Sequence, residues 1–262
     1  MNERELMLAA ILDCERGDLY KERAPLSLKQ QKQLMDMQTK RLKGEPLQYI
    51  IGYCDFMGVI LRVNRKVLIP RPETEILVDS AITKLKQRGG LLTILDLGTG
   101  SGNIAIALAK NIELCKVISV DQSAEALNVA RGNAEANGVT KKVDFFHKDM
   151  MDVLKDDSRT FDLIISNPPY IPTGMLSQLP EDVKKEPVSA LDGGEDGLAF
   201  YRPIIENAHS LLKDNGLLMM EIGDGQAPAI GDLFSKNNFY NNIEFIKDYV
   251  GIDRIVSATL KG

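Results

Sequence analysis

From Thr93 to Ser166 the chain alternates short β-branched runs with helix-forming segments, and few folds accept that alternation. Strands are expected over Thr93 to Leu97, Lys116 to Val120, Val143 to Phe146 and Phe161 to Ser166, and again at Gly216 to Ile222, Ile243 to Lys247 and Arg254 to Thr259. Helices are expected over Gly102 to Lys110 and from Ser123 to the closing Asn137-Gly138. Parallel neighbours need a crossover of this kind, so the pattern predicts an α/β fold with a doubly wound, mostly parallel sheet. Ligands of such sheets lie outside the carboxyl ends of the strands.

Two strand ends stand out. The run Phe161-Asp162-Leu163-Ile164-Ile165-Ser166 stops at Asn167-Pro168-Pro169-Tyr170, where the prolines forbid both helix and ladder. The Asn167 side-chain oxygen and the Pro168 carbonyl are two acceptors, matching the two hydrogens of a planar NH2 group. The Tyr170 ring can pack on that group's flat face. Four residues alone read equally well as a proline-stiffened loop.

The other end is Asp96-Leu97-Gly98-Thr99-Gly100-Ser101-Gly102, between the first strand and its helix. Its glycines allow close approach of a ligand, yet Asn103 stands where a dinucleotide fingerprint needs glycine, so a pyrophosphate cradle is not indicated. Asp121 closes the second strand, about 20 residues further on, where an acid binds ribose hydroxyls. An adenosine-type ligand without pyrophosphate fits both features, and S-adenosylmethionine is one. Asp149-Met150, after the third strand, is placed to meet an adenine ring.

Composition narrows the alternatives. The 262 residues are 44% hydrophobic and 26% charged, ordinary for a soluble globular protein, and a net charge of -5 argues against a general nucleic-acid binder. Cys14, Cys54 and Cys115 form no CxxC pair, and with only His147 and His209 no metal site is expected. The longest apolar run near the start, Met7 to Leu12, is too short for a membrane span, so a cytoplasmic location is expected.

Residues 1 to about 45 read as helical, with Asn2/Glu5 and Ser27/Gln30 as capping boxes and Gly44 and Pro46 as the stop. Tyr49 to Val63 reads as a hairpin around Gly58. Pro70 and Pro72 hold Leu68 to Arg71 extended ahead of a helix bearing Ile76, Leu77, Ala81 and Leu85, and Glu73 and Glu75 suit its first turn. Between Ile171 and Gly197 runs a stretch of about 27 residues with a Gly193-Gly194 pair, a length usual in functional or mobile loops.

Taken with Pro46 to Gly52, Leu68 to Glu75, Glu186-Pro187, Ala190 to Gly194, Asp196 to Leu198, Glu221 to Gly223 and Gly251 to Arg254, these motifs resemble the release-factor glutamine methyltransferases of the PrmC/HemK type over nearly the whole chain. The resemblance implies a class I S-adenosylmethionine-dependent methyltransferase with a seven-stranded sheet. It implies a helical substrate-recognition domain at 1–48, a hairpin linker at 49–67 and the methyltransferase domain at 68–262. The implied reaction methylates the glutamine side-chain amide of the Gly-Gly-Gln motif in class I peptide-chain release factors, leaving S-adenosylhomocysteine. Gly98, Thr99, Gly100, Ser101, Gly102, Asp121, Met150 and Asn167 would then hold the cofactor. Asn167, Pro168, Pro169 and Tyr170 would hold the substrate, with Asn167, Pro168 and Tyr170 catalytic. No metal, membrane or direct nucleic-acid partner is implied. Relatives often carry an aromatic residue at position 150, where a thioether can still pack on the ring.

Two other functions use the same residues. A DNA adenine methyltransferase would present Asn167 to Tyr170 to the adenine amino group, but it must grip phosphates and extrude a base, and this chain is acidic with no long insertion. A non-catalytic module binding release factors would need none of the strand-end motifs. A nicotinamide oxidoreductase would need the missing glycine spacing.

Overall fold

A computed structural model describes residues 2–21, 25–86, 88–156 and 158–262. Met1 and residues 22–24, part of the stretch expected to be helical, lie outside the described residues.

The chain opens with α1 (Glu3–Leu12), a 3-10 turn at Arg16–Tyr20 and α2 (Leu28–Leu42). Ser27 and Gln30 form the expected capping box on α2. At α1 the arrangement differs: the Asn2 side chain accepts from the Arg4 amide and donates to Glu5, so the return bond runs between side chains. Gly44, at φ +79°, turns the chain out of α2 towards Pro46 and the short α3 (Leu47–Ile51). Met7, Leu34, Met37 and Leu47 form a small core of their own.

The hairpin is shorter than expected. Tyr49 to Ile51 are helical, and the strands are β1 (Tyr53–Phe56) and β2 (Val59–Arg62). Pro46 supplies the helix start, which outweighs the β-branched composition of a single turn. Met57 and Gly58 both have positive φ, the geometry of a two-residue turn matched to strand twist. Phe56, Val59 and Leu61 are buried in the main core against α4 (Pro72–Leu85), so the hairpin is packed rather than loose.

The remaining elements are β3 (Leu92–Leu97), α5 (Asn103–Asn111), β4 (Cys115–Asp121), α6 (Ala124–Ala136), β5 (Val143–His147), α7 (Met150–Asp156), β6 (Phe161–Ser166), α8 (Tyr201–Asn207), β7 (Leu212–Glu221), α9 (Ala227–Ser235), β8 (Tyr240–Lys247) and β9 (Asp253–Leu260). The seven-stranded sheet runs β5-β4-β3-β6-β7-β9-β8, with only β9 antiparallel to its neighbours. Alternate strand residues feed two cores. Ile94, Val117, Leu163, Ile165 and Met219 pack with α4 and α5, whereas Leu95, Leu97, Ile164, Leu218 and Met220 pack with α7, α8 and α9. Burial on both faces explains the near-continuous apolar strands. The winding reverses between β3 and β6, where Leu97 pairs with Ser166, so the crevice opens where both outstanding strand ends meet.

Candidate active site

Three hollows meet at that seam, of about 750, 370 and 330 Å³, and Asn167 and Leu68 line all three. The largest is walled by Gly98, Gly100, Asp121, Asp149, Met150 and Pro169. The second holds Arg71, Tyr170, Ile171 and Leu191, and the third Arg71, Thr74, Thr99 and Ser101. The structure therefore brings the glycine loop, Asp121, Met150 and the Asn-Pro-Pro-Tyr turn together. Gly102 stands behind the loop: a Cβ there would come within 3.0 Å of Ile106 and 3.2 Å of Ala130. Pro168 is buried between its neighbours and does not itself line these three hollows.

The glycine loop is shaped by backbone need. Gly98 and Thr99 donate to the Val120 carbonyl, and Gly98, Gly100 and Gly102 all have positive φ. A Cβ at Gly98 would meet the Met150 methyl at 3.4 Å, while one at Gly100 would stand in open space. Asp121 accepts from the Gly100 amide through one oxygen and from the Ser123 amide through the other, both at 2.8 Å. Each oxygen keeps a further lone pair for a ribose hydroxyl. Burial pushes the Asp121 carboxyl up, opposed by those two amides and by His147.

Asp96, Thr99 and Ser101 test whether a polar ligand fits. Among the described residues Ser101 Oγ is buried with no hydrogen-bond partner and belongs to the third hollow, as does the Thr99 hydroxyl, which leans on Asp96 and opposes the upward shift of its carboxyl. Orphaned polar atoms of this kind are costly unless a ligand satisfies them. Asp96 lies deeper, one oxygen accepting from Ser119, and desolvation pushes its carboxyl up to about 7. Open space at Gly100, the free acceptor capacity of Asp121 and these hydroxyls suit an adenosine-type cofactor with a polar tail.

The Asn-Pro-Pro-Tyr turn is clamped from behind. Ser166 Oγ donates to the Leu97 carbonyl at 2.7 Å, ending the ladder. Gln226 donates to the carbonyls of Tyr170 and Gly197, and its oxygen accepts from the Gly223 amide. A Cβ at Gly193 would lie 2.7 Å from Tyr170 Cα, one at Gly197 2.5 Å from the Tyr170 carbonyl oxygen, and one at Gly223 3.0 Å from the Tyr170 ring. These three glycines are where other chain segments press against the turn. Burial pushes the Tyr170 phenol well up, so it stays neutral and serves as a surface rather than a base.

The long stretch after Ile171 is tied down. Ile171 bridges Asp192, Thr173 donates through its amide to the Gly194 carbonyl and through its hydroxyl to Asp192, and Pro187, Ser189 and Ala190 wall the largest hollow. Glu186 anchors it: the buried carboxylate takes the Ile69 amide at 3.0 Å and pairs with Arg71 at 2.5 Å. Arg71 thus borders the cleft, whereas Glu75 faces the hairpin and accepts from the Met57 amide. Sequence reasoning also missed Lys66, Val67 and Phe200, which wall the largest hollow; Tyr49 holds the Val67 carbonyl at 2.5 Å.

Seven strands with one reversed, wound outward on both sides of the β3–β6 seam, are the fold of the class I S-adenosylmethionine-dependent methyltransferases. A family model described as "Methyltransferase domain" matches residues 90–258, and one described as "PrmC N-terminal domain" matches residues 2–52. A curated relative from Thermodesulfovibrio yellowstonii, named release factor glutamine methyltransferase, is 42% identical over 98% of this chain and 91% of its own length. One of the same name from Geobacter sulfurreducens is 40% identical over 98% and 89%. The chain belongs to the release factor glutamine methyltransferase family. Among solved structures, a methyltransferase from Pyrococcus furiosus aligns with a TM-score of 0.57 at 22% identity, over 87% of this chain and 98% of that one, a likeness of fold alone.

Proposed function

We propose that this protein transfers a methyl group from S-adenosylmethionine to the side-chain amide nitrogen of glutamine in the Gly-Gly-Gln motif of class I peptide-chain release factors. The observation carrying the reading is Asn167 at the meeting point of three hollows, one walled by the glycine loop and Asp121 and another by Tyr170. Relatives of 40–42% identity carry the corresponding name.

Gly98 to Gly102, Asp121, Met150 and Asn167 hold the cofactor in this reading, which leaves as S-adenosylhomocysteine. When bound it supplies an activated methyl group on a sulfonium. An amide nitrogen is a weak nucleophile because its lone pair is delocalised, so the protein's help is positional and electrostatic. Asn167 Oδ1 and the Pro168 carbonyl accept the two amide hydrogens, Pro169 stiffens the turn and Tyr170 packs on the flat face. The helical segment 1–48 recognises the release factor, 49–67 links it, and 68–262 carries the reaction; the small separate core around Met7 and Leu34 supports that division. The reaction is placed in the cytoplasm, where free Cys14, Cys54 and Cys115 are at home. No direct nucleic-acid contact is part of the reading.

Incubation with methyl-labelled S-adenosylmethionine and an intact class I release factor, followed by peptide mass spectrometry, tests it. Label on the Gly-Gly-Gln glutamine is expected. Label on adenine in DNA instead would move the same site to the other amino substrate.

A further inference from the structure

At the back of Asn167 lies a buried hydrogen-bond chain that the reaction as described does not use. Asn167 Nδ2 donates to Thr74 Oγ1 at 3.0 Å, and Thr74 Oγ1 donates to Glu221 Oε2 at 2.6 Å. Thr74 is 0% and Glu221 1% exposed, so neither group has water to fall back on. The fold makes the contact. Ser166 pairs with Met220, which sets Asn167 and Glu221 side by side at the ends of β6 and β7, and Pro72 starts α4 so that Thr74 in its first turn faces both.

The direction of the chain has a consequence. A carboxylate can only accept, so the single hydroxyl hydrogen of Thr74 is committed to Glu221. The Thr74 oxygen can then only accept, and only the NH2 end of the Asn167 amide can donate to it. Its oxygen is the polar atom left for the cleft. Flipped by half a turn, Asn167 would set its NH2 against the substrate's NH2, donor against donor. The two ends of an amide have the same shape and differ only as acceptor and donor, so hydrogen-bond partners must set which end faces the cleft.

Resting on the glutamine-amide reading above, we propose that Thr74 and Glu221 are positioning residues for methyl transfer, which lock the Asn167 amide with its oxygen towards the substrate. The lock is built to depend on charge. Burial pushes the Glu221 carboxyl up to about 7, with Thr74 opposing, Glu73 adding, and Arg254 and Arg71 opposing; the Tyr170 and Tyr201 phenols that also face it are held neutral by burial. Once protonated, Glu221 donates to Thr74 and frees the Thr74 hydroxyl to donate to Asn167, so the orientation is lost. Transfer should therefore rise through pH 7 as Glu221 ionises.

The test uses the full chain, intact release factor and S-adenosylmethionine, reading single-turnover transfer and, by calorimetry, cofactor affinity. Thr74→Val is expected to slow transfer about 10- to 100-fold, the scale of misplacing a reacting group, with cofactor Kd within about threefold. Thr74→Ser should restore the rate. If Thr74→Val folds poorly because Glu221 is left unpaired, Thr74→Val/Glu221→Met removes both partners; it should melt like the parent yet stay slow. In an Asn167→Ala background Thr74→Val should cost nothing further. A wild-type rate for Thr74→Val, rescue by the apolar pair, or equal slowing in the Asn167→Ala background overturns the proposal. The lock also has a readout without substrate. The Asn167 side-chain amide NMR signal, assigned by its loss in Asn167→Ala, should titrate near pH 7 in the parent and not in Thr74→Val/Glu221→Met. That titration in a protein that methylates no release factor keeps the lock and sinks the substrate reading; transfer without it does the reverse.

Discussion

Tyr170 and Asn167 owe their places to residues remote in sequence. Gly193 shows how: its backbone φ is not unusual, yet an added Cβ would press on Tyr170 at 2.7 Å. Gly193→Ala must therefore shift the turn, and overpacking of this kind costs about 1–3 kcal/mol. We expect a lower melting temperature and slower transfer, while Gly174→Ala in the same stretch, with nothing within 4 Å of its added Cβ, behaves as the parent. Equal melting of the two variants would remove the clamp from the account. Consecutive residues such as Gly98 to Gly102, Asp121 and Asn167 to Tyr170 were legible because each marks one strand end by itself. Thr74, Glu221 and Gln226 were not, since Thr74 meets Glu221 across 147 positions and only the fold joins them.

The strands of the sheet were readable because two-sided burial writes long apolar runs, and each expected strand is present within a few residues. The hairpin was harder: a single helical turn after Pro46 absorbed Tyr49 to Ile51, too short for periodicity to reveal. The seven-residue helices α7 and α8 escaped for the same reason. What ties hairpin to site is one side chain. Asn133 of α6 accepts from the Arg62 amide and donates to the carbonyls of Arg62 and Ser101, joining β2 to the glycine loop. Asn133→Ala leaves those buried groups unpaired, at about 1–3 kcal/mol. Urea denaturation should show a lower midpoint with unchanged slope, and an unchanged midpoint would mean that the hairpin is held by its apolar face alone.

For the whole molecule the two deeply buried carboxyls dominate the response to pH. Desolvation raises Asp96 and Glu221 to about 7, from 3.8 and 4.5. Between those values the folded state keeps protons that the unfolded chain has released. Stability is thus fullest below about pH 4 for these groups and declines as pH rises through 7. Carboxyls shifted the other way, Asp162 by its bonds with Lys213 and Thr93 against burial, are ionised in both states above pH 5.5 and do not mask the trend. The melting temperature should fall from pH 5.5 to 8, and Asp96→Asn should flatten the fall; a rise over that range would contradict the burial argument.

The central claim is that Asn167 acts on the substrate amide at the seam of the sheet, and transfer in Asn167→Ala measured beside cofactor affinity tests it most directly. Loss of its acceptor should slow single-turnover methylation of the release-factor glutamine about 100- to 1,000-fold, as for removal of one well-placed hydrogen-bonding group in other active sites, while the S-adenosylmethionine Kd stays within about threefold. Equal losses in rate and cofactor affinity would show instead that Asn167 serves the cofactor alone and not the substrate amide as well, and a near-wild-type rate would place the chemistry elsewhere.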